Sequence, residues 1–320
     1  MQVPELDHAR HLDAMRRFLS QSLASFNENK LVGLLAEVEL RAELSRLGLG
    51  DRLALGGWLA RPRRRTGDDQ HAVAMFPLLR GTGESEKCAL ERASPYLLPA
   101  LQLHRAGMSA HLCVGLVPDD LSRSPVTWRS FSIEGSAALL FKPSRFPEGL
   151  DGFEPRDRRY NFLRYSADSS VIPPHAVAQE FAKESCRIMF QEKWMCELTD
   201  FDGIFFGGNR TYPVEVKVKS VAEDKSTGEY FGLDIGPFVK LAFFNVRDAA
   251  LDGLFIVKET RSDEARTHAG WWMITFRRLA QVASWQPRAG GRGMIGGTSS
   301  TVMIPKWAFS PMTSDTLAAL

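Results

Sequence analysis

Glu197-Leu-Thr-Asp-Phe-Asp-Gly-Ile-Phe-Phe-Gly-Gly-Asn-Arg-Thr-Tyr-Pro-Val-Glu-Val-Lys-Val-Lys-Ser220 is the stretch on which the reading of this chain turns. Its first arm is rich in Phe and Ile, and its second alternates strictly from Val214 to Lys219. Gly207-Gly208-Asn209 between them is a tight-turn signal, so the stretch predicts a β-hairpin. Successive side chains of a strand point to opposite faces. Val214, Val216 and Val218 therefore share one face, and Glu215, Lys217 and Lys219 the other. With Gly208 and Asn209 as the central turn residues, Asp202 stands opposite Glu215 and Asp200 opposite Lys217. Two carboxylates facing each other across a ladder, with Cβ atoms about 5 Å apart, repel unless something positive lies between them. Mg²⁺ resolves that conflict, since it takes oxygen ligands, commonly one or two carboxylates, and fills the rest of its shell with water and substrate phosphate.

An Asp closing one strand followed by Glu-x-Lys in the next, here Asp202 and then Glu215-Val216-Lys217, resembles the PD-(D/E)XK nuclease superfamily, including its type II restriction endonucleases. The literal Pro-Asp is missing, because Phe201 precedes Asp202. The resemblance implies Asp202 and Glu215 as ligands of Mg²⁺, and Lys217 as the group that orients the attacking water or donates to the phosphate. It also implies a helix-borne Glu in the metal shell, best matched by Glu180 in Ala178-Gln-Glu-Phe-Ala182, with Glu184 as the alternative. Without the resemblance, the same charges describe an exposed edge hairpin with Asp200 paired to Lys217.

The flanking sequence reads in the order of that superfamily's core: helix, three strands, helix, strand. Pro173-Pro174 opens a helix from His175 to about Lys193, with Val177, Phe181, Ile188 and Phe190 as its apolar positions. Leu233 to Val246 predicts a second helix, its apolar face made by Ile235, Phe238, Val239, Ala242, Phe243 and Val246. Gly253 to Lys258 then reads as a buried strand. The expected fold is α/β, with a restriction-endonuclease-like core of mixed sheet flanked by helices in the C-terminal half.

The chain has 320 residues, 44% of them hydrophobic, and no apolar run near the roughly 18 residues that a membrane span needs. The charged N-terminus is unlike a secretory leader. Cys88, Cys113, Cys186 and Cys196 form no Cys-x-x-Cys pair, which points away from a disulfide frame or zinc ribbon and towards a cytoplasmic location. No His-Glu-x-x-His helix, Gly-x-Ser-x-Gly elbow, Walker pattern or dinucleotide-binding glycine motif occurs.

In the N-terminal half, helices are expected at His8–Asn27 and Lys30–Gly48 and strands at Arg52–Ala60 and Ala72–Leu79. A helix at Pro95–Arg105 and strands at Ser109–Val117, Val126–Ile133 and Ala137–Phe141 follow. His8 and His11 at the start have no partner that would make them metal ligands. The succession resembles that of the C-terminal half, which leaves two readings: a degenerate second copy, or an unrelated α/β domain that packs on or binds DNA. Ala74-Met75-Phe76 stands where the later half has Glu-x-Lys, so no catalysis is assigned there. A boundary is expected between Pro143 and Pro173, dividing the chain into residues 1–150 and 151–320, with a short strand at Tyr160–Tyr165 in the connection.

The formal net charge is only +2, but basic residues cluster at Arg61–Arg65, Arg156–Arg159, Arg277-Arg278 and Arg288–Arg292. Such clusters neutralise phosphates. Lys219, Arg277, Arg278, Arg288 and Arg292 are the candidate DNA contacts, with the glycine-rich Gln286–Ser300 either a groove-following segment or a plain loop. Trp271 and Trp272 are expected in the core, and Val221–Glu229 as a polar loop. The resemblance to the nuclease superfamily implies a Mg²⁺-dependent endonuclease of double-stranded DNA acting as a homodimer, of type II-like restriction or other defence type, any companion methyltransferase being on another chain. The alternatives are a repair or structure-specific nuclease and a non-catalytic DNA-binding or assembly protein.

Overall fold

The computed structural model describes residues 11–23, 28–62, 72–134, 140–150, 152–156, 168–262, 266–289 and 300–320. The chain is α/β, with mixed parallel and antiparallel strands flanked by helices. It divides into two compact units, residues 1–38 with 54–201, and residues 39–53 with 202–320.

The first unit contains α1 (Leu12–Leu23), the first part of α2 (Glu28–Arg46), β1 (Leu53–Pro62), β2 (Val73–Gly81), α3 (Glu86–Arg92) and α4 (Leu97–Arg105). It continues through β3 (Ser109–Val117), β4 (Thr127–Glu134), β5 (Leu140–Ser144), β6 (Glu154–Pro155), α5 (Pro174–Lys193) and the start of β7 (Trp194–Phe206). The strand order is β1-β2-β3-β4-β5. β1 and β2 are antiparallel, β2 and β3 parallel, and β3 and β4 antiparallel. A parallel pair needs a long crossover, which α3 and α4 supply. Ser85 starts α3, its hydroxyl accepting the Cys88 N–H at 3.2 Å. The continuous apolar run Val73–Leu79 is buried along its length, as a strand covered on both faces must be. α1 lies on α5 through Met15, Leu19, Val177 and Phe181, with the Phe18 and Phe181 rings edge to face.

The second unit continues from β7 into β8 (Thr211–Ser220), β9 (Ala222–Asp224), β10 (Gly228–Asp234), α6 (Ile235–Asn245), β11 (Leu254–Thr260) and β12 (His268–Thr275). It closes with α7 (Phe276–Val282), β13 (Arg288–Ala289), β14 (Ser300–Pro305), β15 (Ser310–Pro311) and α8 (Ser314–Ala318). Its larger sheet has the order β15-β12-β11-β8-β7, and a smaller one the order β13-β14-β10-β9. β7 and β8 are antiparallel, β8 and β11 parallel, and β11 and β12 antiparallel. Phe255, Val257 and Ile274 from the larger sheet meet Phe231, Leu233, Val302 and Ile304 from the smaller one, with Leu241 of α6 and Leu279 of α7 in the same core.

The hairpin forms with the register expected from its turn: Phe206 pairs with Thr211, Phe205 with Tyr212, Ile204 with Pro213 and Gly203 with Val214. Several elements depart from the sequence reading. Only β7 and β8, rather than three strands, enter the larger sheet between α5 and α6, because Val221–Glu229 is no plain loop but the turn of a hairpin whose strands belong to the smaller sheet. α3 and α7 were not anticipated; each is a seven-residue helix, too short to show helical periodicity clearly. The buried side of α6 is Lys240, Leu241 and Phe244, while Val239 and Val246 are 57% and 81% exposed. The compact units part within β7, between Phe201 and Asp202, rather than in the connection before α5. α5 is counted with the first unit because its apolar positions complete the core formed with α1 and β2. The expected strand at Tyr160–Tyr165 lies outside the described residues.

Candidate functional site

The site is built where β7 and β8 leave their turn behind. Asp202 and Glu215 follow directly on the Gly203–Val214 pair, so the two acids arrive together from the two arms of the hairpin. Both are buried, Asp202 at 9% and Glu215 at 1% exposure. Asp202 Oδ2 accepts the backbone N–H of Val216 at 2.6 Å. A carboxylate here does what a strand carbonyl would otherwise do, satisfying a buried donor and fixing the Asp202 side chain beside β8.

Glu215 points to the face of β8 on which α6 lies. In the parallel ladder it stands beside Phe255, and Lys217 beside Val257, both of them residues of the apolar core. A carboxylate among such neighbours carries a large desolvation penalty unless paired. Two lysines supply the pairing. Lys217 Nζ lies 2.5 Å from Glu215 Oε1, and Lys240 Nζ of α6 is ion-paired with Glu215 Oε2. The two differ in access: the Lys217 side chain is 32% exposed and that of Lys240 only 6%. The cluster therefore opens to solvent on the Lys217 side. Two acids and two lysines leave it formally neutral.

Lys240 was missed in the sequence, although a signal existed. It is the only charged residue in α6, an otherwise apolar Ile-Gly-Pro-Phe-Val-Lys-Leu-Ala-Phe-Phe-Asn. The helical stripe drawn through Ile235, Phe238, Val239, Ala242, Phe243 and Val246 left Lys240 on the outside. It lies inside because Glu215 is there to receive it.

Glu180 and Glu184 belong to α5 of the first unit, whereas Asp202, Glu215 and Lys217 belong to the second. Glu180 is buried, its carboxylate 3.7 Å from Lys183 Nζ, and Lys183 also reaches Glu37 at 2.6 Å. Glu184 is ion-paired with Arg187, whose Nη1 donates to Gln191 at 2.6 Å. These are internal ion pairs rather than the solvated helix face that a Glu-rich helix usually presents. Lys30, facing the same group of charges, has its pKa lowered to about 8 by burial, opposed by Glu184 and Asp200.

The candidate DNA contacts are dispersed. Lys219 stands half-buried on β8 beside Glu259 in the ladder. Arg277 lies 3.6 Å from Asp252, a buried carboxylate whose pKa is raised by desolvation and which accepts from Asn245 at 2.8 Å. Arg278 lies over the Trp307 ring at 5.5 Å, and Arg288 pairs with Asp224 at 2.6 Å. Arg61 pairs with Glu197 at 2.6 Å. Arg292, and the clusters' remaining arginines at 63–65 and 158–159, lie outside the described residues. Trp272 is half-buried, its indole N–H donating to Glu259 at 2.5 Å.

As hard oxygen donors, Asp202 and Glu215 suit a small divalent cation, and a pair is the number of carboxylates that Mg²⁺ commonly takes from a protein. Among the described residues no group of three or more acidic, His or Cys side chains is gathered for a metal, so the fit rests on these two. Among them, too, no helix is long and apolar enough to cross a membrane. Comparison with protein-family models, curated proteins and solved structures finds no match to this chain.

Proposed function

We propose that this chain is a metal-dependent nuclease that hydrolyses phosphodiester bonds of double-stranded DNA. The observation that carries the reading is the meeting of Asp202, Glu215 and Lys217 at one end of a buried hairpin, with Lys217 Nζ 2.5 Å from Glu215 and open to solvent. The order α5, β7, β8, α6, β11, with β8 and β11 parallel, supports a restriction-endonuclease-like core. The first unit repeats this pattern in α2, β1, β2, α4 and β3, which supports its reading as a degenerate copy.

Asp202 and Glu215 would hold the Mg²⁺. When bound, the ion supplies positive charge to the phosphoryl oxygens and acidity to a coordinated water. Asp202 arrives pre-oriented, since its bond to the Val216 N–H fixes one of its oxygens. Lys217 is the only member of the cluster with substantial solvent access, so it is the group that an incoming phosphate meets. Its ammonium donates to a non-bridging oxygen and holds the attacking water in line, as stabilisation of developing negative charge requires. Restriction or defence endonuclease action as a homodimer, cutting both strands, is the form of the activity that we favour.

Supercoiled plasmid and mixed genomic DNA incubated with the protein and Mg²⁺ should give discrete fragments, lost with EDTA and in Lys217→Ala. One observation favours a second reading, a DNA-binding protein without turnover: both oxygens of Glu215 are already matched by lysines. In that case DNA is retarded in a gel-shift assay, Mg²⁺ leaves it intact, and Lys217→Ala changes neither result.

A further inference from the structure

Lys240 is placed where a metal-binding carboxylate would least be expected to tolerate it. Its ammonium is buried on the inner side of α6, between the exposed Val239 and the fully buried Leu241, and is ion-paired with Glu215 Oε2. Gly236 and Pro237 open the helix, and Pro237 costs nothing in a first turn, where its missing N–H has no helical partner. Leu241 and Phe244 then anchor the helix in the core. Lys240 is thus held by the packing of its helix and has little freedom to swing into water, unlike Lys217.

We infer that Lys240 is a positioning residue that acts as a built-in counter-cation for Glu215, so that a divalent metal binds Asp202 and Glu215 by exchange against a resident ammonium. This rests on the nuclease reading of the site. With no metal bound, Lys240 keeps the buried acids from repelling one another, so the fold does not depend on the metal. When a metal binds, its charge meets that of an ammonium held by the helix, and the affinity of the pair of carboxylates is lowered. Two like charges a few ångströms apart in a poorly screened interior repel strongly. Such a site would bind metal weakly on its own and more tightly once substrate phosphate adds negative charge.

The test is Mn²⁺ binding to the full chain without DNA, by calorimetry and by the electron paramagnetic resonance signal of free Mn²⁺. Lys240→Met should bind Mn²⁺ at least tenfold more tightly than the unaltered protein. Lys240→Arg, which keeps the charge, should stay within about threefold of it, and Glu215→Gln should lose binding. The second readout is thermal unfolding with Mn²⁺ and with EDTA. Mn²⁺ should raise the Tm of Lys240→Met by more than that of the unaltered protein, since a ligand stabilises in proportion to its affinity, and EDTA alone should move neither. This comparison within each variant stands even if Lys240→Met is less stable.

Unchanged or weaker Mn²⁺ binding in Lys240→Met, with Glu215→Gln still losing it, overturns the inference and leaves the nuclease reading intact. No Mn²⁺ binding in any variant sinks both. Mn²⁺ binding only in Lys240→Met supports the exchange in its strongest form.

Discussion

The ion pair between Lys240 and Glu215 makes a prediction about stability that needs neither metal nor DNA. Removing one partner of a buried pair costs about 3–5 kcal/mol, because the other charge is left in the interior. Lys240→Met leaves Glu215 with Lys217 still 2.5 Å away, so the lower end applies, about 3 kcal/mol. Glu215→Leu removes a buried partner of Lys240, whose side chain is only 6% exposed, and should cost about 4 kcal/mol. In the double variant the buried charges leave together, and apolar side chains of similar volume take their place beside Phe255 and Leu241. Replacing a buried pair in this way is commonly neutral or better, so the double variant should lie within about 1 kcal/mol of the unaltered protein. Urea unfolding of the four proteins in EDTA, followed by fluorescence and circular dichroism, closes the cycle. With two compact units the transitions need not coincide, and the comparison belongs to the one that reports residues 202–320. If the single costs simply add in the double variant, the two side chains do not meet as described, and the argument for Lys240 fails with them.

Three further outcomes follow from the first unit. His111 is buried against Phe146, ring centroids 4.5 Å apart, and its Nδ1 has no partner among the described residues; burial lowers its pKa to about 4. The unfolded chain then binds a proton between about pH 6.5 and 4 that the folded one refuses, so stability is full above pH 6.5 and falls as the pH drops, by up to roughly 3 kcal/mol; His111→Leu should flatten that slope in urea titrations from pH 8 to 4.5. Lys30 has the opposite placement on the scale: burial lowers its pKa to about 8, which opposes folding at neutral pH and ceases to do so as the pH rises from 8 towards 10.5. Lys30→Met should therefore raise the Tm at pH 7, and a lowered Tm would show that its attraction to Glu184 and Asp200 outweighs its desolvation. Finally, a Cβ on Gly57 would stand 2.3 Å from the Met75 carbonyl and 2.9 Å from the Phe201 ring, so Gly57→Ala should cost 1–3 kcal/mol or more by overpacking, against no loss of stability if the strands part freely.

What was legible in the sequence follows from what each pattern costs to violate. The hairpin was, down to its register, because Gly207-Gly208-Asn209 marks the turn and the turn fixes which residues stand opposite each other. The Ser109–Val117 strand was legible as a largely apolar run, buried along most of its length. α6 was found as a helix, and Ile235, Phe238 and Ala242 of its expected face do pack on the core, but the buried Lys240 was missed, because periodicity assigns every charge to the outside and cannot see a buried partner such as Glu215. The charges of α5 escaped as well: Glu180 and Glu184 were read as alternative metal ligands, and with Lys183 and Arg187 they form internal pairs. β9 and the first residues of β10 fell inside the stretch read as a polar loop, Val221–Glu229, since the three polar residues of β9 carry no alternation to detect.

The two units together bear on why the cluster exists at all. In the first, the ladder runs through Ala60–Val73, Leu59–Ala74 and Trp58–Met75; on the proposal that the first unit is a degenerate copy, Ala60–Val73 stands for Gly203–Val214. Counted from those pairs, Ala74 and Phe76 take the places of Glu215 and Lys217, and both are fully buried. A strand at this place, antiparallel to one neighbour and parallel to the other, is thus made without any charge. Burying Glu215 and Lys240 is not needed to form such a sheet, and apolar residues there are as a rule no worse for stability. Charges kept where the fold does not need them are best explained by chemistry. On the nuclease reading the activity belongs to Asp202, Glu215, Lys217 and Lys240, and replacing Glu215 and Lys240 together should abolish it while sparing the fold.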